Sequence, residues 1–329
     1  MDGIDTRLVY GFLDAGKTTY IKETIRDDMF YKRGKTLILC FEEGEEEYDA
    51  EVLADKNAVV VYYDGDFSGI DESSASNGGS YSGESENEIT RFCSDAIEKY
   101  QPDRIYVEMN AMMLDLREQL PDCMRVTVAV TLIDWATMPV YFVNFKKMIN
   151  QMAADSQQIT FRGCPSKELL APYSQAFRLM NQKASYLRQD PMGYHEKAFD
   201  MFLPFSLEDS EITITENNYL PLWLDALDHP EHYEGKVLHF TDPLELRRTG
   251  EDDPWSAGRV VMVCCMADLQ FMAFRLVGDL TISDLGWITF DASAQIKADQ
   301  YGQRKLVLKP DNIRPALPLD NPILDGNKQ

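Results

Sequence analysis

The chain holds 329 residues, with 32 Lys+Arg against 55 Asp+Glu, a formal net charge of −23 and a pI near 4.5. A 44% hydrophobic fraction over this length predicts two globular domains at roughly 150 residues each, and excludes a largely disordered chain, a collagen-like fibre and a small disulfide scaffold. The acidic excess lacks the basic footprint that a nucleic-acid backbone or an anionic membrane surface attracts, so neither is expected as a partner.

The first half alternates short apolar runs with longer amphipathic ones. Strands are predicted over 6–10, 36–40, 58–63, 104–108, 126–133 and 158–161. Helices are predicted over 17–28, 87–100, 112–120, 139–154 and 167–181. The strands show little polar alternation, which implies burial on both faces and a parallel sheet with helices on both sides. Two segments break the rhythm. EEGEEEYDAE, from Glu42, carries seven acids in ten residues, and SASNGGSYSGESENE reads as a mobile loop. Beyond about residue 205 come short strands at 211–215, 236–240, 259–265, 271–277, 287–292 and 304–308, with one helix at 220–227. That spacing suggests a small β-barrel or sandwich. The expected division is therefore 1–205 and 206–329, the latter ending in a short disordered tail.

No basic segment followed by an apolar run opens the chain, and the best apolar run is eight residues long. Six scattered cysteines suit reduced thiols. A cytoplasmic protein, not embedded in a membrane, is expected.

The strongest motif is Gly11-Phe-Leu-Asp-Ala-Gly16-Lys17-Thr18, a G-x4-G-K-[ST] phosphate loop between an apolar strand and an amphipathic helix. Its glycines let backbone N–H groups turn toward phosphate oxygens, and the helix start adds a positive dipole end. Lys17 supplies a point charge to the β- and γ-phosphates, and the Thr18 hydroxyl suits Mg²⁺. The expected nucleotide contacts are Gly11, Asp14, Ala15, Gly16, Lys17, Thr18 and Thr19. Asp14 is the anomaly, since its carboxylate must point away from phosphate. Glu108 ends a later buried strand and is the second candidate for Mg²⁺. Lys17 and Glu108 are thus the expected catalytic pair.

These residues resemble the CobW/UreG/HypB (G3E) class of P-loop GTPases. GFLDAGKTTYI is similar to that family's GFLGxGKTTLL, GKTLILCFEEGEEEYDAE to its second strand and switch, PDRIYVEMNAM to its PDxIVIExSGL, and VTVAVTLIDW more weakly to a later strand. The resemblance covers roughly 5–190. It implies an α/β P-loop NTPase domain that binds GTP with Mg²⁺ and couples hydrolysis to delivery of a metal such as zinc. It also places Glu42, Glu43 and Glu45 in the switch, with Glu43 taken as the Mg²⁺ candidate. Two departures stand out. Asn77-Gly78 is followed by Gly79-Ser80-Tyr81-Ser82, where the family carries C-x-C-C thiolates. After the strand at 158–161 the chain has Arg162-Gly163-Cys164-Pro165 in place of the guanine-reading N-K-x-D, so ATP is not excluded.

The second half resembles the C-terminal domain of YcgQ/DUF1980 proteins, through Gly258, Arg259, Cys264, Cys265, Ala267, Asp268 and Trp287. That likeness implies an OB-like β domain, a link to metal homeostasis and a permease or metal-dependent protein as partner; a homodimer is left open. Cys264 and Cys265 are a soft-metal candidate, although adjacent side chains in a strand point to opposite faces. His229-Pro-Glu-His232 is compatible with a metal but reads first as a charged surface loop. A P-loop scaffold with weak or no catalysis is the alternative function.

Overall fold

The computed structural model describes residues 3–26, 34–42, 44, 46–64, 88–199, 203–248, 255–278, 286–299 and 301–326. It divides into two compact units: residues 1–166 with 183–198, and residues 167–182 with 199–329. The observed division thus differs from a single cut near 205. The segment 167–182 belongs with the second unit, because Gln175 Nε2 donates to Gly326 O at 3.1 Å and Leu179 packs against Gly326.

The first unit is an eight-stranded sheet. Its strands are β1 (Ile4–Gly11), β2 (Thr36–Cys40), β3 (Ala58–Tyr62), β4 (Arg104–Asn110), β5 (Met124–Asp134), β6 (Gln158–Arg162), β7 (Ser185–Gln189) and β8 (His195–Lys197). They lie in the order β3-β2-β4-β1-β5-β6-β7-β8, all parallel except the β7–β8 pair. Every residue of β2 is buried, as is most of β1 and β4, which accounts for their continuous apolar runs. The helices are α1 (Lys17–Arg26), α2 (Ala50–Asp55), α3 (Glu88–Tyr100), α4 (Met138–Asn144) and α5 (Lys146–Asp155). Ile21 and Ile25 of α1 are at most 1% exposed and pack with Val9, Ile38, Tyr106 and Leu132. Burying each stabilises the helix seat by about 1.5–3 kcal/mol.

Three helical expectations are modified. The 112–120 segment is a 3₁₀ helix, Ala111–Gln119, started by Asn110, whose side chain accepts from Met112 N. The 139–154 stretch breaks into α4 and α5 at Phe145. The 167–181 stretch contains two 3₁₀ turns before the helix α6 (Ser174–Met180). Short α2 was not expected; Asp49 caps it by accepting from Glu51 N and Val52 N.

In the second unit, β9 (Glu211–Ile214) and α7 (Glu216–Asp228) precede five long strands: β10 (Val237–Arg248), β11 (Trp255–Met262), β12 (Leu269–Leu276), β13 (Trp287–Ala298) and β14 (Arg304–Ala316). A last strand, β15 (Ile323–Asp325), pairs with β11. The five close on themselves as β10-β11-β12-β14-β13-β10, with β12–β14 the single parallel pair, which is an OB-type barrel. Strand β10 reaches both neighbours because its register shifts between Phe240 and Leu244, around Pro243. Phe240 stacks on Phe290 at 4.7 Å inside. The strands run longer than their apolar cores suggested because their ends are half-exposed and polar.

Candidate nucleotide-binding site

Parallel pairing brings the ends of β1, β2 and β4 to one edge. Gly11 sits opposite Asn110, and Cys40 opposite Glu108. The phosphate loop leaves β1 there and enters α1 at Lys17. Asp14 adopts φ 61° and Gly16 φ 80°, both left-handed. Asp is among the few non-glycine residues that tolerate this region, and its side chain is exposed, away from the loop interior, as expected. Ala15 is buried. Phe12 anchors the loop against Tyr141 and Phe145, with ring centroids 4.6 and 5.8 Å away.

The Lys17 ammonium is buried. It donates to Phe12 O at 2.8 Å and Gly11 O at 3.2 Å, and lies 2.5 Å from Glu42 Oε2. The two side chains are 3% and 8% exposed. The contact is a charge pairing rather than an aligned hydrogen bond, while Glu42 Oε1 accepts from Asn110 Nδ2 at 2.8 Å. A carboxylate therefore occupies the lysine that phosphate would need.

Thr18 Oγ1 donates to Glu108 Oε1 at 2.7 Å, and Tyr48 OH donates to Glu108 Oε2 at 2.6 Å. Glu108 is 3% exposed. Burial and then the Glu108 charge hold the Tyr48 phenol far above its ordinary range. The same two causes push the neighbouring Cys40 thiol up to about 12. Thr19 faces elsewhere: its hydroxyl donates to Glu46, which also binds Lys22 at 2.8 Å.

Arg162 is the residue the sequence reading missed. It stands where N-K-x-D was sought, with Nη1 donating to Gly16 O and Nε to Gln189 Oε1 at 2.7 Å. Gly16 holds φ 80°, which strains any L side chain, and a Cβ there would also force the Arg162 guanidinium to move. A basin of about 460 Å³ opens beside it, lined in part by Asp14, Gly16, Asp134, Arg162, Gln189 and Asp190. Glu42 is expected in the switch and Tyr48 only within the same acidic run, and nothing local in the sequence marks Lys17 or Glu108 as their partners. Glu43, Glu45 and Asn77-Gly78 lie outside the described residues.

The residues present fit a Mg²⁺-bound nucleotide at the phosphate end: a hydroxyl beside a buried carboxylate, an ammonium and a turned loop. The adjoining basin carries four carboxylates, those of Asp14, Glu23, Asp134 and Asp190.

Cys264 and Cys265 are not on a strand. They fall in the turn after β11, so the alternation expected of them does not apply. Their sulfurs lie 3.7 Å apart. Two thiolates on one tetrahedral Zn²⁺ with bonds of ~2.3 Å sit at about that separation. Burial, then Cys265 and Asp268, raise Cys264 to about 12, whereas the Ala267 N–H and the Cys264 thiol lower Cys265. Among the described residues no helix is long and apolar enough to cross a membrane.

Residues 193–316 match the family model of the DUF1980 C-terminal domain. Similar solved structures include the hydrogenase maturation factor HypB from Archaeoglobus fulgidus, at 14% identity, TM-score 0.37, and 57% and 82% coverage of this chain and that one. A Zn(II)-bound triple mutant of the YjiA GTPase is 14% identical with TM-score 0.38. The Zn(II)-bound YjiA GTPase from E. coli is 13% identical with TM-score 0.35; both YjiA comparisons cover 96% of this chain and 90% of theirs. No curated protein matches the chain.

Proposed function

We propose that the chain binds a purine nucleoside triphosphate with Mg²⁺, GTP by preference, and hydrolyses it in the service of transition-metal handling in the cytoplasm. The observation that carries this reading is Thr18 on Glu108 beside Lys17, the donor set that Mg²⁺ and a triphosphate require on adjacent strand ends. Lys17 and the loop N–H groups hold the phosphates. Thr18 and Glu108 hold Mg²⁺, which when bound neutralises charge on the phosphate oxygens. Arg162 adds a second positive charge at Gly16.

For phosphate to reach Lys17, Glu42 must leave it. Glu42 also accepts from Asn110, and Tyr48 donates to Glu108, so a carboxylate displaced from Lys17 has neighbours at the strand ends to report its movement. Phosphate occupancy is thereby coupled to the segment 42–49, which supports a nucleotide-sensing switch there. At the base end, Asp134 and Asp190 are carboxylates able to accept from guanine N1–H and N2–H₂. The zinc side of the reading rests on the family resemblance and on the Cys264–Cys265 spacing. A permease or metal-dependent protein is the proposed partner.

Calorimetry of GTP, GDP and ATP with Mg²⁺ on wild type, Lys17→Ala and Thr18→Ala tests this, followed by phosphate release. Guanine-selective binding lost in both variants supports the reading. ATP binding of equal strength removes the guanine preference. No binding below millimolar nucleotide would favour a second reading, a P-loop scaffold without catalysis, to which the buried Lys17–Glu42 pair also lends support.

A further inference from the structure

We propose that His229, Glu231 and His232 form a binding site for a borderline divalent transition ion (Zn²⁺, Ni²⁺ or Co²⁺), with Asp225 orienting one of the ligands. The site rests on its own geometry and not on the nucleotide reading. The ligand atoms of the three side chains lie within 4.8 Å of one another. The two imidazoles are nearly parallel, with centroids 4.8 Å apart and planes at 25°. His229 Nδ1 is 3.4 Å from Glu231 Oε1.

What distinguishes this cluster from a solvated charged loop is the group behind it. Asp225, on the last turn of α7, is 1% exposed. Its Oδ2 faces His232 Nδ1 at 2.8 Å and accepts from Tyr233 OH at 2.8 Å. Tyr233 is itself fully buried. A carboxylate held this way accepts a hydrogen bond from Nδ1–H of the imidazole, favouring the tautomer that keeps the proton there. The lone pair of His232 is then on Nε2, turned away from Asp225. Carboxylate–histidine pairs of this kind fix both tautomer and ring orientation in metal sites.

The backbone adds rigidity. His229 N donates to Asp225 O at 2.7 Å, and the following 3₁₀ turn closes with His232 N on His229 O at 3.0 Å. Buried Pro230 opens the turn and buried Tyr233 follows it. Around an ion with bonds of ~2.0–2.2 Å, tetrahedral ligand atoms stand about 3.3–3.6 Å apart. Closing the widest separation from 4.8 Å needs about 1.2–1.5 Å of approach, within reach of side-chain rotation by the half-exposed His229 and Glu231. Two imidazoles and a carboxylate favour Zn²⁺, Ni²⁺ or Co²⁺ over Mg²⁺ or Ca²⁺. Three protein ligands leave a fourth position for water or for a ligand from a partner, which suits an ion that is passed on rather than locked in.

The test titrates ZnCl₂ and NiCl₂ alone into the full nucleotide-free chain by calorimetry, and CoCl₂ with visible spectroscopy. His229→Ala is the primary variant, because His229 is exposed and its truncation leaves Asp225 paired. Its denaturation midpoint without metal should match wild type. The expected result is one binding event lost in His229→Ala and weakened ~10–100-fold in Asp225→Asn. It should be retained in Thr18→Ala and in Cys264→Ser/Cys265→Ser, with no thiolate charge-transfer band in the Co²⁺ spectrum of the latter. Unchanged stoichiometry and affinity in His229→Ala, or loss confined to the cysteine variant, would overturn the proposal. Failure of nucleotide binding would leave it standing.

Discussion

Lys17→Met keeps the aliphatic stem of the loop lysine and removes its charge, leaving Glu42 as a carboxylate 8% exposed whose remaining polar contact is Asn110. Breaking a buried ion pair on one side costs about 3–5 kcal/mol, because the surviving charge keeps its desolvation penalty and loses its partner. For a unit of this size each kcal/mol shifts the midpoint by about 2–4 °C, so the nucleotide-free variant should unfold about 6–20 °C lower. Glu42→Gln should fall by less, since the ammonium retains two backbone carbonyls. The double variant Lys17→Met/Glu42→Gln should recover most of the loss, because replacing both partners of such a pair is often close to neutral. The assay is thermal denaturation of all four proteins without nucleotide, read as a double-mutant cycle. Additive single effects, or a Lys17→Met shift below about 2 °C, would refute the pairing. The outcome also governs any binding experiment on Lys17 variants, since lost affinity and lost stability are then superimposed.

Tyr48→Phe keeps the buried ring and removes the hydroxyl that donates to Glu108; it should destabilise the nucleotide-free protein by about 1.5–3 kcal/mol in denaturant unfolding. His239 lies 2.7 Å from Asp291, and that hydrogen bond, then the one to Glu211, raises its pKa above that of the unfolded chain. The resulting stabilisation is complete below about pH 6.5 and fades as pH rises through the higher folded value, so the second unit's midpoint should drop as pH is raised above about 6.5. His239→Gln should flatten that slope; an unchanged slope would remove His239 as its source. Limited alkylation near neutral pH followed by peptide mapping should label Cys265 before Cys264, because backbone N–H groups stabilise the Cys265 thiolate while burial protects its neighbour. Preferential labelling of Cys264 would reverse that assignment.

What the sequence determined by itself was local. The strands at 36–40 and 158–161 (158–162 in the fold), the phosphate loop and the start of α1 are legible because apolar runs, turn residues and a strand–loop–helix motif act over a few residues. The α/β class and the β-rich second half follow from the same periodicities. Thr18 and Glu108 are each legible as a Mg²⁺ candidate, one from the phosphate loop and one from the acid that ends a buried strand, although 90 positions separate them. Tertiary structure decided the rest. Glu42 reaches Lys17 only because β2 and β1 both flank β4, an order no linear pattern encodes. Arg162 reaches Gly16 across 146 positions because β6 lies two strands from β1. Cys264 and Cys265 meet because β11 ends at Met262 and a turn replaces the pleat that would have separated them. The histidines of 229–232 acquire an orientation from Asp225 and Tyr233, whose burial depends on the packed interior rather than on spacing. Periodicity specifies which face of an element is apolar; which charges then face each other is set by the order in which those faces pack.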